Sequence, residues 1–236
     1  MISLIKDTLL YSGSKVFAGL LNLFTIMIFT RFLEQDDYGS YLIFISYTFF
    51  ISSLFYWAHR VSVNRYLNHY KNNYNIFLKT NITLFFKISI FIFFINMIMF
   101  IILPLDFRLK VFISLCSLAA FLKSFFDLNQ TILNMNFKSI LFSINILFRS
   151  IFFISISFFL FIYFNLKTES LIFAFLISYS LILIPSAFFI FKSSFNYLYD
   201  NEISNRIVSF SIPLIGLFVC DYILTFSDRL FIDYYL

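Results

Sequence analysis

The apolar positions of this chain are grouped in long runs that short polar segments separate. Six runs are complete, and a seventh begins near residue 207. The complete runs cover residues 9–30, 40–58, 82–103, 111–132, 140–164 and 171–191. Because about 20 mainly apolar residues cross the hydrocarbon core as a helix, the pattern predicts seven membrane-spanning helices. The first run contains Ser12, Lys15 and Asn22 and has no cleavage site typical of a signal peptide, so we expect a retained helix.

The composition supports a membrane protein. Of 236 residues, 61% are hydrophobic and 12% are charged, and the mean hydropathy is +0.91. A soluble domain has about 25% charged residues and could not hide this much apolar surface from water. We attribute the 39 phenylalanines to A/T-rich codon usage and expect them to face lipid. Serine, the plentiful small residue, should make the close contacts between helices.

The connections between the runs are too short for a soluble catalytic domain. The longest covers residues 58–81 and contains both histidines, His59 and His69, which we interpret as solvated loop residues. Cys116 and Cys220 lie inside apolar runs and are predicted to be small core residues. The sequence has no motif typical of a nucleotide, metal or acyl-transfer site, so we expect a non-enzyme without metal or cofactor. The dispersed basic residues do not suggest nucleic-acid binding.

The basic residues predict how the chain is oriented. Cytoplasmic loops of membrane proteins carry an excess of Lys and Arg. With the N-terminus inside, the inner loops hold eight basic residues and the outer loops hold four. The inner residues are Lys6, Arg60, Arg65, Lys71, Lys79, Lys138, Lys192 and Arg206, and the outer residues are Arg31, Arg108, Lys110 and Lys167. This bias predicts a cytoplasmic N-terminus.

The end of the seventh run is similar to the end of the first. The segments are TIMIFTRFL at residues 25–33 and ILTFSDRLF at residues 223–231, and Arg31 aligns with Arg229 across six spans. An even number of spans between two copies means that both cross in the same direction, as in the parallel repeats of some secondary transporters. A complete unit would then have about twelve helices.

Several ionisable residues lie inside the apolar runs. A charge there costs a few kcal/mol unless it faces a cavity, has a partner or reaches the headgroups. We expect Lys87 to reach the headgroups. Lys123 and Asp127 share a helix face at i,i+4 spacing, so they form either a structural pair or part of a polar cavity. Arg149 has no acid near it in sequence, and it and Lys15 are further candidates for lining such a cavity.

The basic candidates favour an anionic ligand. A guanidinium offers parallel donors to phosphate oxygens and keeps its charge. A cavity lined by Lys15, Lys123 and Arg149 would therefore favour a diphosphate. The acids Asp127, Asp221 and Asp228 could instead bind a coupling cation, either H⁺ or Na⁺.

Both ends of the chain resemble one family. LNLFTIMIFTRFL at residues 21–33, followed by DYGSY at residues 37–41, resembles the Wzx-type polysaccharide flippases of the multidrug/oligosaccharidyl-lipid/polysaccharide exporter superfamily. In that family the first helix typically ends in a threonine-arginine-aromatic turn, followed by an acidic residue, a tyrosine and a glycine. SDRLFI at residues 227–232 is similar to the serine-aspartate-arginine signature at the end of the family's seventh helix. The spans between agree in number and length only.

The resemblance implies an all-α, MATE-like bundle of two six-helix lobes that rock around a central cavity. Residues 1–200 would form the N-terminal lobe, and residues 201–236 would begin a second lobe whose remainder is absent from a truncated chain. Arg31, Asp228 and Arg229 would lie at the outer ends of equivalent helices, where they contact either substrate or headgroups.

The resemblance also implies the cargo and the location. The expected cargo is an undecaprenyl-diphosphate-linked oligosaccharide that crosses the bacterial inner membrane for the synthesis of O-antigen, capsule or another surface polysaccharide. Membrane lipids and other polysaccharide-assembly proteins are the expected partners.

Three other interpretations remain open. A cation-coupled multidrug exporter of the same fold would need a more acidic lumen. A membrane-bound polymerase or glycosyltransferase would need a larger outer loop, since none here exceeds about ten residues. A truncated fragment would not transport by itself.

Overall fold

The computed structural model describes the backbone of residues 2–102, 104, 106–194 and 197–235, and the side chains of residues 7–102, 104, 106–186 and 197–220. In this part of the chain every regular element is helical. The α-helices are α1 (Ile2–Phe32), α2 (Gln35–Ser52), α3 (Ala58–Tyr66), α4 (Tyr74–Ile102), α5 (Phe107–Met135), α6 (Ser139–Phe164), α7 (Thr168–Ser194) and α8 (Asn201–Tyr235). A π-helical turn, Ser53–Trp57, joins α2 to α3, and a 3₁₀ turn, Lys71–Asn73, precedes α4.

Within the described residues, seven helices are long and apolar enough to cross a membrane. They cover Asp7–Phe32, Gln35–Tyr66, Lys71–Ile102, Phe107–Met135, Ser139–Phe164, Thr168–Ser186 and Asn201–Cys220. The second, Gln35–Tyr66, contains α2, the π-turn and α3, and we refer to it as helix two. The protein is thus an all-helical, multi-pass membrane protein, which confirms the class and the span number predicted from the apolar runs.

The predicted loop at residues 58–81 is wrong in extent. Helix two continues to Tyr66, and α4 begins at Tyr74. His59, predicted to be a solvated loop residue, is 3% exposed, whereas His69 is exposed as predicted. A prediction from apolar runs ends each helix at its first polar residues. The helical hydrogen bonds of the backbone nevertheless continue where neighbouring helices bury those polar side chains.

The helices form one bundle around α5. This helix packs against α2, α3, α4, α6 and α7. On one side, α6 lies between α1 and α7, and on the other side α8 packs against α3 and α4. The contact between α8 and helix two includes Arg65, whose guanidinium lies 4.3 Å from the centre of the Phe210 ring. The described part of α8 therefore belongs to the same packed body as the other helices.

The phenylalanines are distributed between core and surface, so the expectation that they face lipid is only partly right. Phe44, Phe77 and Phe85 are fully buried, whereas Phe17 and Phe93 are more than half exposed. Phenylalanine rings therefore fill part of the interior together with buried leucines and isoleucines. Among the predicted core cysteines, Cys116 is buried but Cys220 is exposed.

Serine makes the close contacts that its abundance predicted. The hydroxyls of Ser52 and Ser124 lie 2.7 Å apart between helix two and α5, and both residues are buried. On the opposite side of the bundle, Ser143 of α6 donates a hydrogen bond of 3.0 Å to the carbonyl of Leu10 in α1. These small side chains allow the helix backbones to approach closely inside the membrane.

Candidate functional site

Three charged side chains form a cluster between helix two and α5. The Lys123 ammonium lies 2.7 Å from Asp127 Oδ2, and the Arg60 guanidinium lies 3.1 Å from the same oxygen. The Lys123 and Asp127 side chains are only 13% and 23% exposed. We call Arg60, Lys123 and Asp127 the charged cluster. The i,i+4 pairing predicted from sequence is confirmed, and Arg60 is an additional member.

Helix two and α5 run parallel, side by side, and the charged cluster lies between them. Ser124 lies beside Ser52, and the Cys116 thiol lies 3.9 Å from the Phe44 carbonyl. Both contacts join residues that are 72 positions apart, which is the pattern of two helices that run in the same direction. The π-turn that follows Ser52 adds a residue to one turn and so rotates the rest of helix two. After this turn, Arg60 faces the α5 carboxylate.

A small pocket of about 30 Å³ lies against the cluster. It is lined by Ser52, Ser53, Tyr56, Trp57, Arg60, Lys123, Ser124 and Asp127. This volume is large enough for water, and hydroxyl groups surround it. The Lys123 ammonium also lies 4.6 Å from the centre of the Phe49 ring, so a cation–π contact adds to the stabilisation of this charge. The pocket is therefore polar and cationic.

Arg149 lies in the middle of α6 and has no carboxylate within 4 Å among the described side chains. Its guanidinium donates to the Tyr179 hydroxyl at 3.3 Å and to Ser150 Oγ at 3.1 Å. Neutral acceptors thus solvate this arginine without neutralising its charge.

Tyr179 connects Arg149 with the charged cluster. Its ring centre lies 5.3 Å from that of Phe126, the neighbour of Asp127. The structure therefore places three of the predicted candidates, Lys123, Asp127 and Arg149, around α5 and α7.

The other predicted candidates do not join this group. Lys15 is exposed on α1, with its ammonium 5.6 Å from the centre of the Phe142 ring. Arg31 is exposed in the last turn of α1, at the end of the bundle where helix two begins, whereas Arg60 lies near the other end of helix two. The remaining candidates are Asp221, Asp228 and Arg229, whose side chains are outside the described residues.

Sequence reasoning missed Arg60 because it placed this residue in a loop. In the structure the buried residues Ser52, Tyr56, His59 and Val63 follow a helical spacing of three or four residues, but Ser52 and His59 are polar, so hydropathy does not show this periodicity. That periodicity carries helix two through His59 and Arg60. The partner of Arg60 could not be found this way, because the contact joins residues 67 positions apart.

A second charged group joins the α1–α2 and α6–α7 connections. The Lys167 ammonium lies 2.8 Å from Glu34 Oε1 and 3.0 Å from Asp37 Oδ2. The hydrogen-bonded Glu34 carboxylate and then that of Asp37 raise the pKa of Lys167, since both favour the charged ammonium. Thr168 Oγ1 also donates to the Asp37 carbonyl at 2.9 Å. Lys167 and Glu34 are exposed and Asp37 is partly buried, so these contacts join the start of α2 to the α6–α7 connection at the surface.

Metal ligation finds no support in the described part of the chain, where no group of three His, Cys, Asp or Glu residues is placed to hold an ion. No protein-family model, curated protein or solved structure matches this chain. The geometry of the charged residues, together with the resemblance at the chain ends, is therefore the basis for assigning a function.

Proposed function

We propose that this protein is a flippase for polyprenyl-diphosphate-linked oligosaccharides, with undecaprenyl diphosphate as the expected carrier. The observation that carries the proposal is the charge balance within the spans. Arg60, Lys123 and Arg149 lie around α5 and α7 with Asp127 as the one carboxylate among them. Charges inside a membrane are costly and mark ligand pathways. An excess of positive charge fits a cargo with a negative headgroup.

The proposed roles follow from the contacts of each base. Arg149 is held by neutral hydroxyls, so its remaining donors are available to a phosphate. Lys123 and Arg60 share one oxygen of Asp127, and an entering phosphate would compete with that carboxylate for both cations. Asp127 then keeps the two cations ordered when no cargo is bound.

A diphosphate does not fit the pocket of about 30 Å³ beside the cluster. Binding therefore requires helix two and α5 to separate at this level. Alternating access, in which helices rock around a site near the middle of the membrane, supplies such a separation. The π-turn at Ser53–Trp57 lies beside the pocket, and π-turns are frequent at functional sites in helices.

A cation-coupled drug exporter has less support. Such a protein would present an uncompensated carboxylate to its cargo, but Asp127 already contacts two cations. Asp127 would therefore attract an organic cation only weakly.

Binding can be measured with the protein's own fluorescence. Trp57 is the single tryptophan and lines the pocket. We expect farnesyl diphosphate to change Trp57 fluorescence in a saturable way in the purified, detergent-solubilised protein, whereas farnesol should have no effect. Lys123→Gln and Arg149→Gln should each weaken binding about tenfold or more, since a hydrogen bond to a charged group contributes about 1.5–3 kcal/mol. Equal fluorescence responses to farnesol and farnesyl diphosphate would show that the diphosphate group does not contribute to binding.

Transport is tested by complementing a bacterial strain that lacks its polysaccharide flippase. We expect surface glycan to return with the full-length protein and to be lost with Arg149→Ala at an unchanged membrane level. The matched control is Arg65→Ala, which removes an exposed arginine outside the cluster. Normal glycan with Arg149→Ala would exclude Arg149 from the site, and no glycan with the wild-type protein would count against the flippase assignment.

A further inference from the structure

A large apolar groove lies between α4 and α5 and shares Tyr56 with the small pocket beside the charged cluster. Its volume is about 560 Å³, within the range of roughly 300–1,000 Å³ typical of small-molecule sites. Its apolar walls include Ile90, Phe93, Met97, Phe100, Leu118 and Phe121. These residues belong to two membrane-spanning helices, so the groove opens toward lipid.

The polar groups in the groove are already hydrogen-bonded within the protein. Ser117 Oγ donates to Asn96 Oδ1 at 3.0 Å, and the Asn96 amide donates to the Ile92 carbonyl at 3.0 Å. The Tyr56 hydroxyl donates a hydrogen bond of 3.1 Å to Ser89 Oγ. Since these groups have partners, the groove requires neither water nor a polar ligand, and a hydrocarbon chain can occupy it without leaving a buried polar group unsatisfied.

Lys110 marks the end of the groove nearest the α4–α5 connection. The Lys110 ammonium lies 5.3 Å from the centre of the Phe100 ring, and Phe100 forms part of the wall. A smaller pocket lined by Asn96, Phe100, Lys110 and Ser114 continues the groove in this direction. Among the described side chains, no carboxylate lies within 4 Å of this ammonium. Lysines near the end of a membrane helix extend toward the headgroups.

We propose that the groove between α4 and α5 is a binding site for an anionic phospholipid, with one acyl chain in the groove and the phosphate at Lys110. Three features together define this ligand: the position of the groove inside the membrane, its apolar walls, and Lys110 at its end, which contacts no carboxylate among the described side chains. None of the three residues of the charged cluster lines the groove, and the inference does not depend on the proposed transport activity. A zwitterionic lipid would fill the groove equally well but would gain less from Lys110, because its own ammonium offsets the charge of its phosphate.

The test uses a single tryptophan as a local reporter. Leu118→Trp in a Trp57→Phe background places it in the groove wall, where Leu118 is 48% exposed, and Met97→Trp, also in the wall, is the second reporter. Phe17→Trp on α1, where Phe17 is 54% exposed, is the matched control for ordinary contact with bulk lipid. Each full-length variant is reconstituted in phosphatidylcholine containing increasing fractions of phosphatidylglycerol with brominated chains, which quench tryptophan on contact.

We expect half-maximal quenching of the groove reporters at about a fivefold lower phosphatidylglycerol fraction than for the control, the effect of one lysine near an anionic lipid. Lys110→Gln should remove this difference, and Lys110→Arg should preserve it. Equal quenching of the groove and control reporters would show that the groove holds bulk lipid only. Protection of both groove reporters from quenching, accompanied by crosslinking between chains, would show that a second copy covers the groove. Either result would overturn the proposal.

Discussion

Asp127 determines the charge balance of the candidate site. Its Oδ2 atom contacts both Arg60 and Lys123, and the surrounding helices leave only 23% of its side chain exposed. A carboxylate in this position lowers the cost of holding two cations inside the spans. Removing it leaves both cations without a counter-charge.

At the residue scale, Asp127→Asn should lower the free energy of unfolding by about 1–3 kcal/mol, because two partly buried charge-assisted contacts are lost. Adding Lys123→Gln to this variant should restore part of the loss, since one uncompensated cation is removed. Denaturant unfolding in detergent, followed by Trp57 fluorescence, measures both changes. Glu202→Gln breaks the exposed pair with Arg206 and should have a much smaller effect. Additive losses in the double variant would contradict the pairing.

At the element scale, the important feature is the length of helix two. It extends past the π-turn to Tyr66, which buries His59 and brings Arg60 to α5. The apolar run ends at residue 58. If helix two also ended there, His59 would not be buried and Arg60 would not reach α5. The turn after helix two contains His69, whose ring packs edge-on against Tyr70 at 5.1 Å.

This extension predicts a difference in thiol reactivity. In a Cys220→Ser background, His59→Cys should react at least tenfold more slowly with a maleimide than His69→Cys in detergent, since reaction at a buried position requires local opening. Native Cys116, 1% exposed, provides the unlabelled reference in both variants. Similar rates for the two introduced cysteines would place His59 in a loop after all.

At the scale of the whole molecule, the seven spans place the two ends of helix two on opposite sides of the membrane. The start of helix two, with Asp36 in its first turn and the Lys167 contacts beside it, lies at one end of the bundle. The turn that contains His69 lies at the other end. The loop charges predict that the second end is cytoplasmic.

Orientation can be tested by labelling from one side of the membrane. In the Cys220→Ser background, Asp36→Cys should react with a membrane-impermeant maleimide added to intact spheroplasts, whereas His69→Cys should react only after the membrane is opened. Both positions are exposed, so the difference would report their side and not their burial. The reversed pattern would show that the N-terminus faces outward.

The sequence by itself determined the class of protein and the number of spans. Whether a helix crosses the membrane depends mainly on the apolar composition of its own segment, and each apolar run shows that composition directly. The pair Lys123 and Asp127 was also predictable, because i,i+4 spacing on a helix fixes which side chains meet.

Only the tertiary structure decided which helices are neighbours and which polar residues they bring together. Arg60 meets Asp127, and Arg149 meets Tyr179, through contacts between residues 67 and 30 positions apart. The groove between α4 and α5 likewise depends on how two helices separate along their length. Packing between helices depends on the fit between surfaces that are distant in sequence and on contacts between small residues. The hydropathy pattern along the chain contains no information about either.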